Sequence, residues 1–181
     1  GIHPGEGNWL DFARWLRERG RLVSLEPFRP PDTPLDDDAL RELLAACDVF
    51  SPNWDEAVRI AGSDNYRAML ERFRALGGQV LAVRRGPDGA DVWRLTEGRG
   101  VHVPAVDTAP VDVVGAGNAF CGALLARLHD GIGEAACHAS VAASYLIEQV
   151  GLPPRLPNPA DYARRLDEVR AGRRVLSFDD V

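Results

Sequence analysis

The sequence lacks a long apolar run and has few cysteines, and each scarcity excludes a class of protein. No stretch approaches the roughly 20 continuous apolar residues that a membrane-spanning helix requires. The N-terminus has no basic segment followed by an apolar one, so we expect no secretory signal peptide and a cytoplasmic protein. The three cysteines lack the close paired spacing of zinc ligands, which indicates reduced core thiols at Cys47, Cys121 and Cys137.

Positive charge is also scarce, with 21 Lys and Arg against 27 Asp and Glu and a formal net charge of -6. A protein that binds duplex nucleic acid needs a basic face to displace counterions from phosphates, so this composition argues against that class. Apolar residues at 45% and charged residues at 27% are typical of globular proteins, and the length predicts a single domain over residues 1–181. None of the four histidines lies on a motif, so the sequence assigns them no function.

Apolar periodicity predicts helices and strands that alternate along the chain. Helices are predicted over residues 9–19, 36–46, 54–61, 65–76, 116–129, 134–149 and 160–171. Strands are predicted over residues 22–25, 48–51, 79–83 and 90–95, with an edge strand over 101–103 and a terminal strand over 175–178. This alternation indicates a mostly parallel sheet covered on both faces, a three-layer α/β/α fold. Charge is nearly absent from 116–129 and 134–149, which predicts that both helices are substantially buried.

The most informative segment is a glycine turn that joins an extended stretch to an apolar helix. Gly115 and Gly117 lie where the helix begins. A helix start leaves backbone N–H groups unpaired and carries partial positive charge, and glycine lets an anion approach the chain. The pattern favours a phosphate site, although glycines at this spacing also suit a purely architectural strand-to-helix turn.

A dinucleotide fingerprint is a second functional alternative for this turn. That fingerprint has glycine or alanine three residues after its second glycine and an acidic residue about 20 positions later. Phe120 occupies the third glycine position, two successive helices follow the turn, and Asp130 and Glu134 come too early. The sequence therefore disfavours dinucleotide binding.

The turn closely resembles the C-terminal signature of the ribokinase-like (PfkB-type) kinases, which ends in glycine, alanine, glycine and aspartate. Gly115, Ala116 and Gly117 match it, and Asn118 stands where the family has its final aspartate. The resemblance implies that this turn forms an anion hole for the phosphoryl group in transfer. It also implies that position 118 is that of the base that accepts the proton of the attacking hydroxyl.

Two further landmarks of the family occur in the expected order. Residues 52–56 resemble an asparagine-x-x-glutamate motif, and residues 84–89 resemble a glycine-containing turn beside the nucleotide. The resemblance implies ATP and Mg²⁺ as cofactors, with Asn53 and Glu56 organising the magnesium through its water shell. It leaves monovalent cation use open, and it places these residues near the nucleotide: Asp112, Asn53, Glu56, Arg84, Gly86 and Gly89. Taken alone, Asn53 and Glu56 also suit a helix start.

The departures from the family pattern predict impaired chemistry. Asn118 can hydrogen-bond a hydroxyl but has no useful basicity, so a rate loss of about 10²–10⁴ is expected. Val113 and Val114 replace hydroxyl residues that the family commonly has before the glycines. Three hypotheses follow: a kinase that phosphorylates a sugar or nucleoside hydroxyl with ATP, a pseudokinase that binds nucleotide and acts through a partner, and an α/β module that binds no nucleotide.

The resemblance covers nearly the whole chain but only the later part of a family member. It implies that the N-terminal part of the fold and its lid are missing, together with most of the sugar site. The start at Gly1, without methionine, predicts an interior point of a longer protein. The expected partners are the small-molecule sugar or nucleoside, ATP, and either a second copy in a homodimer or a missing N-terminal half.

Overall fold

A computed structural model describes residues 9–27 and 32–181 of the chain. In these residues the helices are α1 (Trp9–Glu18), α2 (Asp37–Ala45), α3 (Trp54–Ala61), α4 (Tyr66–Ala75), α5 (Ala116–Arg127), α6 (Ile132–Ile147) and α7 (Pro159–Gly172). The strands are β1 (Ser24–Leu25), β2 (Val49–Phe50), β3 (Val80–Arg84), β4 (Ala90–Arg94), β5 (Arg99–Val103) and β6 (Arg174–Ser177). Every predicted element is present within a few residues of its expected bounds.

The six strands form one sheet in the order β1-β2-β3-β4-β5-β6. The sheet is parallel from β1 to β3, with Ser24 opposite Val49 and Val49 opposite Val80. A tight turn over Gly86–Asp88 then joins β3 to β4, and the sheet continues with antiparallel strands. The predicted α/β class is confirmed. The sheet was expected to be mostly parallel, and the structure has an open sheet that is parallel from β1 to β3 and antiparallel after that.

Two details of the prediction are wrong. Residues 101–103 were expected to form an edge strand, but β5 lies between β4 and β6 because the C-terminal strand adds outside it. Strand pairing between distant segments leaves no local mark on the sequence, so this position was not predictable. Helix α5 was expected to be substantially buried, yet its buried side chains are Phe120, Cys121 and Leu124 alone.

The chain forms two compact units. The first contains the described residues up to Val83, together with Trp93–Arg99 and Ser177–Val181. Helices α2 and α4 begin at side-chain caps, since Asp36 accepts a hydrogen bond from Ala39 N at 2.8 Å and Asn65 accepts one from Ala68 N at 2.9 Å. These caps satisfy N–H groups that a helix start leaves unpaired. The apolar faces of α2 and α4 are buried, and they include Leu40, Leu44, Met69, Leu70 and Phe73.

The second unit contains Arg84–Val92 and Gly100–Leu176. Helix α6 is its most buried element, as predicted, because its small apolar residues allow close packing on several sides. Helix α7 adds Leu166 and Val169 to the same core. This unit carries the glycine turn at the start of α5, so its rigid helices provide the support for that turn.

The cysteines are reduced and buried, and the described helices are too short or too polar to cross a membrane. Cys47, Cys121 and Cys137 are buried free thiols, as predicted. Burial raises the pKa of the Cys47 thiol to about 12, so it stays protonated and unreactive at neutral pH. Within residues 9–27 and 32–181, no helix has the length and apolar character needed to cross a membrane.

Candidate functional site: the turn at the start of α5

The glycine turn has the backbone geometry that only glycine adopts easily. Gly115 is the N-cap of α5 and has φ +86°, in the left-handed region. It makes no side-chain cap, so nothing on the residue covers the first amides of the helix. An added Cβ at this position would lie 3.0 Å from Leu146 Cδ2. The backbone angle therefore favours glycine, and an added Cβ would also force the Leu146 side chain to shift.

Three of the four amides in this turn make no internal hydrogen bond. Ala116 N donates to Val113 O at 3.2 Å, which closes the turn, and Ala119 N donates to Gly115 O at 3.0 Å as the helix begins. Among the described residues, no acceptor meets the N–H groups of Gly115, Gly117 and Asn118. Unpaired donors at a helix N-terminus, where the helix dipole is positive, form the arrangement that binds an oxyanion.

The side chains that flank the turn are exposed to solvent. Asn118 is exposed, so its carboxamide is free to reach a ligand. Val113 and Val114 are 67% and 79% exposed, which is unusual for valine and leaves an apolar rim beside the amides. Asp112 accepts a hydrogen bond from Val114 N at 3.0 Å through Oδ1, which fixes the bend before the glycines.

Asn53 and Glu56 form a capping box at the start of α3. Asn53 Oδ1 accepts from Glu56 N at 2.9 Å, and Glu56 Oε2 accepts from Asn53 N at 2.7 Å. The helix-start interpretation of these two residues is thus confirmed. Both side chains offer oxygen atoms, the kind of ligand that Mg²⁺ prefers, and this ion usually retains several waters.

Asn53→Ala is expected to lower the free energy of unfolding by about 1 kcal/mol, because α3 loses its side-chain cap. Urea denaturation of both proteins measures this loss. Asn65→Ala is a matched variant, since Asn65 caps α4 by the same contact to a backbone amide. An unchanged stability in Asn53→Ala would contradict the energetic role of the capping box.

The hairpin between β3 and β4 contains the other predicted nucleotide residues. Arg84 ends β3, and Gly86 begins the turn with φ +57° and open space where a Cβ would lie. Gly89 has φ +86°, and a Cβ there would lie 2.0 Å from Val103 O. Glycine at 89 is therefore required by the approach of β5, whatever else it contacts.

A buried ionic cluster beside this hairpin was not foreseen from the sequence. Asp91, with 8% of its side chain exposed, accepts from Arg85 Nε at 2.8 Å and lies 2.8 Å from His102 Nδ1. The available signal was an acidic residue inside the apolar run of β4, because a buried carboxylate requires partners. The cluster ties both arms of the β3–β4 hairpin to β5.

The predicted site residues fall into the two compact units. The second unit holds the turn from Gly115 to Asn118, Asp112, and the hairpin residues Arg84, Gly86 and Gly89. The first unit holds Asn53 and Glu56. In the part of the chain that the structure describes, no three acidic, histidine or cysteine side chains come close enough to hold a metal directly. The turn suits a phosphate, whereas the carboxylates suit a cation only through water.

Comparisons with known proteins identify a family and a fold. The family model for "pfkB family carbohydrate kinase" matches residues 7–159. An uncharacterized sugar kinase of Archaeoglobus fulgidus is 32% identical over 155 residues, which cover 84% of this chain and 60% of that protein. The structure of Arabidopsis thaliana ribokinase with ribose and ATP has a TM-score of 0.69 and 25% identity, and covers 87% of this chain and 51% of the ribokinase.

A second solved structure gives the same result. Aminoimidazole riboside kinase of Salmonella enterica, complexed with aminoimidazole riboside and an ATP analogue, has a TM-score of 0.70 and 26% identity. The match covers 87% of this chain and 56% of that kinase. The chain therefore has a ribokinase-like fold and spans about half the length of the proteins it matches.

Proposed function

Because the chain belongs to the pfkB family of carbohydrate kinases, we propose that it provides the nucleotide-binding part of an ATP-dependent phosphotransferase. The acceptor is a hydroxyl group of a sugar or nucleoside. The observation that carries this proposal is the set of unpaired amides at Gly115, Gly117 and Asn118, at the N-terminus of α5. Relatives with a solved ribose, nucleoside or ATP complex support the substrate class.

In the proposed site, ATP supplies the phosphoryl group, and the turn stabilises the charge that this group carries in transfer. The amides of Gly115, Gly117 and Asn118 donate to its oxygens, while Ala116 shapes the turn through its bond to Val113. The sequence contains no lysine, so a cationic contact to a phosphate would come from arginine, and Arg84 is the candidate in the hairpin. Gly86 lets the nucleotide approach the chain there, because among the described residues nothing lies within 4 Å of the place of its Cβ.

Charge around the phosphates is balanced by cations in this proposal. Asn53 and Glu56 hold water molecules of a magnesium ion, since Mg²⁺ prefers oxygen ligands and retains several waters. Asp112 lies three residues before Gly115 and offers a carboxylate beside the glycine turn.

Asn118 supports a second candidate function, a pseudokinase that binds nucleotide without efficient turnover. Its carboxamide positions an acceptor hydroxyl by hydrogen bonding, but it does not accept the proton at neutral pH. Binding by the amides is independent of that proton transfer, so affinity for ATP is retained in both candidates. The chain spans about half the length of its relatives. The identity of the acceptor and the presence of a partner polypeptide therefore belong to the proposal as well.

Calorimetry with ATP and Mg²⁺ tests the phosphate site. Gly117→Val is expected to weaken ATP binding by at least about tenfold, because a branched side chain crowds the amides at the helix start. Gly122→Val is the matched control, since it adds the same side chain to α5 where a Cβ meets nothing within 4 Å. Valine is a better helix former than glycine, so intrinsic propensity disfavours neither variant.

The outcomes of this measurement separate the hypotheses. Equal affinity in the two variants would mean that the glycine turn is architectural, and no binding by the unmodified chain would contradict the proposal itself. Asn53→Ala and Asn65→Ala add a test of the magnesium role, because both remove one helix cap. A weaker magnesium-dependent affinity in Asn53→Ala alone would support that role.

A further inference from the structure

The segment that leads into the glycine turn has no regular structure, yet the end of α6 holds it at successive points. Residues 104–115 form neither helix nor strand. Ile147 O accepts hydrogen bonds from Val111 N at 2.7 Å and from Asp112 N at 3.2 Å. Gly115 packs so closely on Leu146 that an added Cβ would lie 3.0 Å from it. The last turn of α6 is therefore the support of this segment.

A side-chain contact completes this attachment at Thr108. The Thr108 hydroxyl donates a hydrogen bond to Glu148 Oε1, and Glu148 is the C-cap of α6. Three consecutive residues at the end of α6 thus contact the segment. Glu148 contacts it near its middle at Thr108, Ile147 contacts it at Val111 and Asp112, and Leu146 contacts it at Gly115. A rigid helix end that contacts a loop at three points fixes both its position and its direction.

Glu148 is an unfavourable residue at this place unless it is paired. A carboxylate at a helix C-terminus opposes the negative end of the helix dipole. Arg165 offsets this cost, since its Nη1 donates to the same Glu148 oxygen at 2.7 Å. Burial alone would raise the pKa of Glu148, but the hydrogen bonds from Arg165 and Thr108 outweigh it and lower the pKa below its usual value. The carboxylate is therefore charged at neutral pH and accepts a strong hydrogen bond from Thr108.

Arg165 is itself held on three sides in the second unit. Its Nε donates to Asp161 Oδ2 at 3.0 Å, its Nη1 donates to Ser144 Oγ at 3.0 Å, and its guanidinium lies 4.1 Å from the Tyr145 ring centroid. Only 11% of the side chain is exposed. Tyr145 also donates its hydroxyl proton to Asp161 at 2.6 Å. The arginine is thus a preorganised anchor between α6 and α7.

We infer that Thr108, Glu148 and Arg165 are positioning residues that set the geometry of the glycine turn at residues 115–118. They act through the connecting segment and do not contact the ligand. That the turn binds phosphate rests on the proposed function, whereas the positioning of the turn does not. The sequence carried no sign of this set, because its members lie 40 and 17 positions apart in the chain.

Thr108→Val tests the inference, because it keeps the shape of the side chain and removes the hydroxyl donor. We expect hydrogen exchange of the Val111 and Asp112 amides to accelerate about tenfold, as for a lost hydrogen bond to a charged group. Amide NMR shifts of Gly115, Gly117 and Asn118 should move, and affinity for ATP with Mg²⁺ should fall about tenfold. Thr108→Ser should restore all three values, and Thr96→Val, at an exposed threonine of the first unit, should change none.

Each other outcome has a defined meaning. Unchanged exchange and shifts in Thr108→Val would overturn the inference, and so would equal damage in Thr108→Ser, since the hydroxyl would then be irrelevant. Faster hydrogen exchange of the Val141 amide, in the middle of α6, would indicate that Thr108 has a general structural role. That result would also overturn the inference. If the unmodified chain binds no ATP but Thr108→Val still moves the turn amides, the positioning stands and the proposed function fails.

Discussion

Replacing Asn118 by aspartate is expected to raise ATP-dependent phosphoryl transfer to a sugar or nucleoside hydroxyl by about 10²–10⁴-fold, the usual contribution of a positioned general base. The substitution keeps the size of the side chain and adds the basicity that a carboxamide lacks. Asn118 is exposed at the first turn of α5, so an aspartate fits there without repacking. The measurement is product formation with ribose, fructose and nucleosides as acceptors, on the longest polypeptide that contains this sequence.

Charge at the helix start needs its own control in this experiment. A carboxylate near a helix N-terminus stabilises the helix by roughly 0.3–1 kcal/mol, so a gain in activity has to be separated from a gain in stability. Gly122→Asp adds the same charge to an exposed position one turn later in α5. A gain in Asn118→Asp alone supports a disabled base. No gain with any acceptor, in a protein that still binds ATP, favours the pseudokinase.

The parts of the fold that the sequence predicted are those governed by local rules. Asn53 was interpreted as a helix start because its side chain accepts from an amide three residues later, and the structure contains that bond. Gly115 was placed at a strand-to-helix turn, and its left-handed backbone agrees. Such features depend on a few neighbouring residues, so periodicity and capping preferences are sufficient to find them.

The parts that the sequence did not predict depend on residues far apart in the chain. The place of β5 inside the sheet is set by β6, more than 70 positions later. The exposure of α5 was not predictable either. An apolar pattern on a helix indicates that a face can be buried, but it does not show which element covers that face. The cluster of Asp91 with Arg85 and His102 forms only when the hairpin and β5 pair. The sequence indicated that the carboxylate in the apolar strand needs a partner, but not which residue provides it.

Gly89→Ala is expected to be the most destabilising substitution in the hairpin, with a loss of about 3–5 kcal/mol in the free energy of unfolding. Gly89 has φ +86° and ψ -138°, a region essentially restricted to glycine. The added Cβ would lie 2.0 Å from Val103 O and 2.9 Å from Ala105 N, and both are backbone atoms. No side-chain rotation relieves such a contact, so β5 or the turn must move.

Gly86→Ala is the matched control for this clash, because it lies in the same turn at φ +57° and its Cβ would meet nothing within 4 Å. Backbone strain alone predicts a loss of about 1–2 kcal/mol there. Equal losses in the two variants, measured by urea denaturation, would show that β5 yields easily and would contradict the steric argument. Since Gly86→Ala should remain folded, its affinity for ATP also reports on the nucleotide. Weaker binding would reveal a ligand close to the turn, because among the described residues no other part of the chain lies within 4 Å of that Cβ.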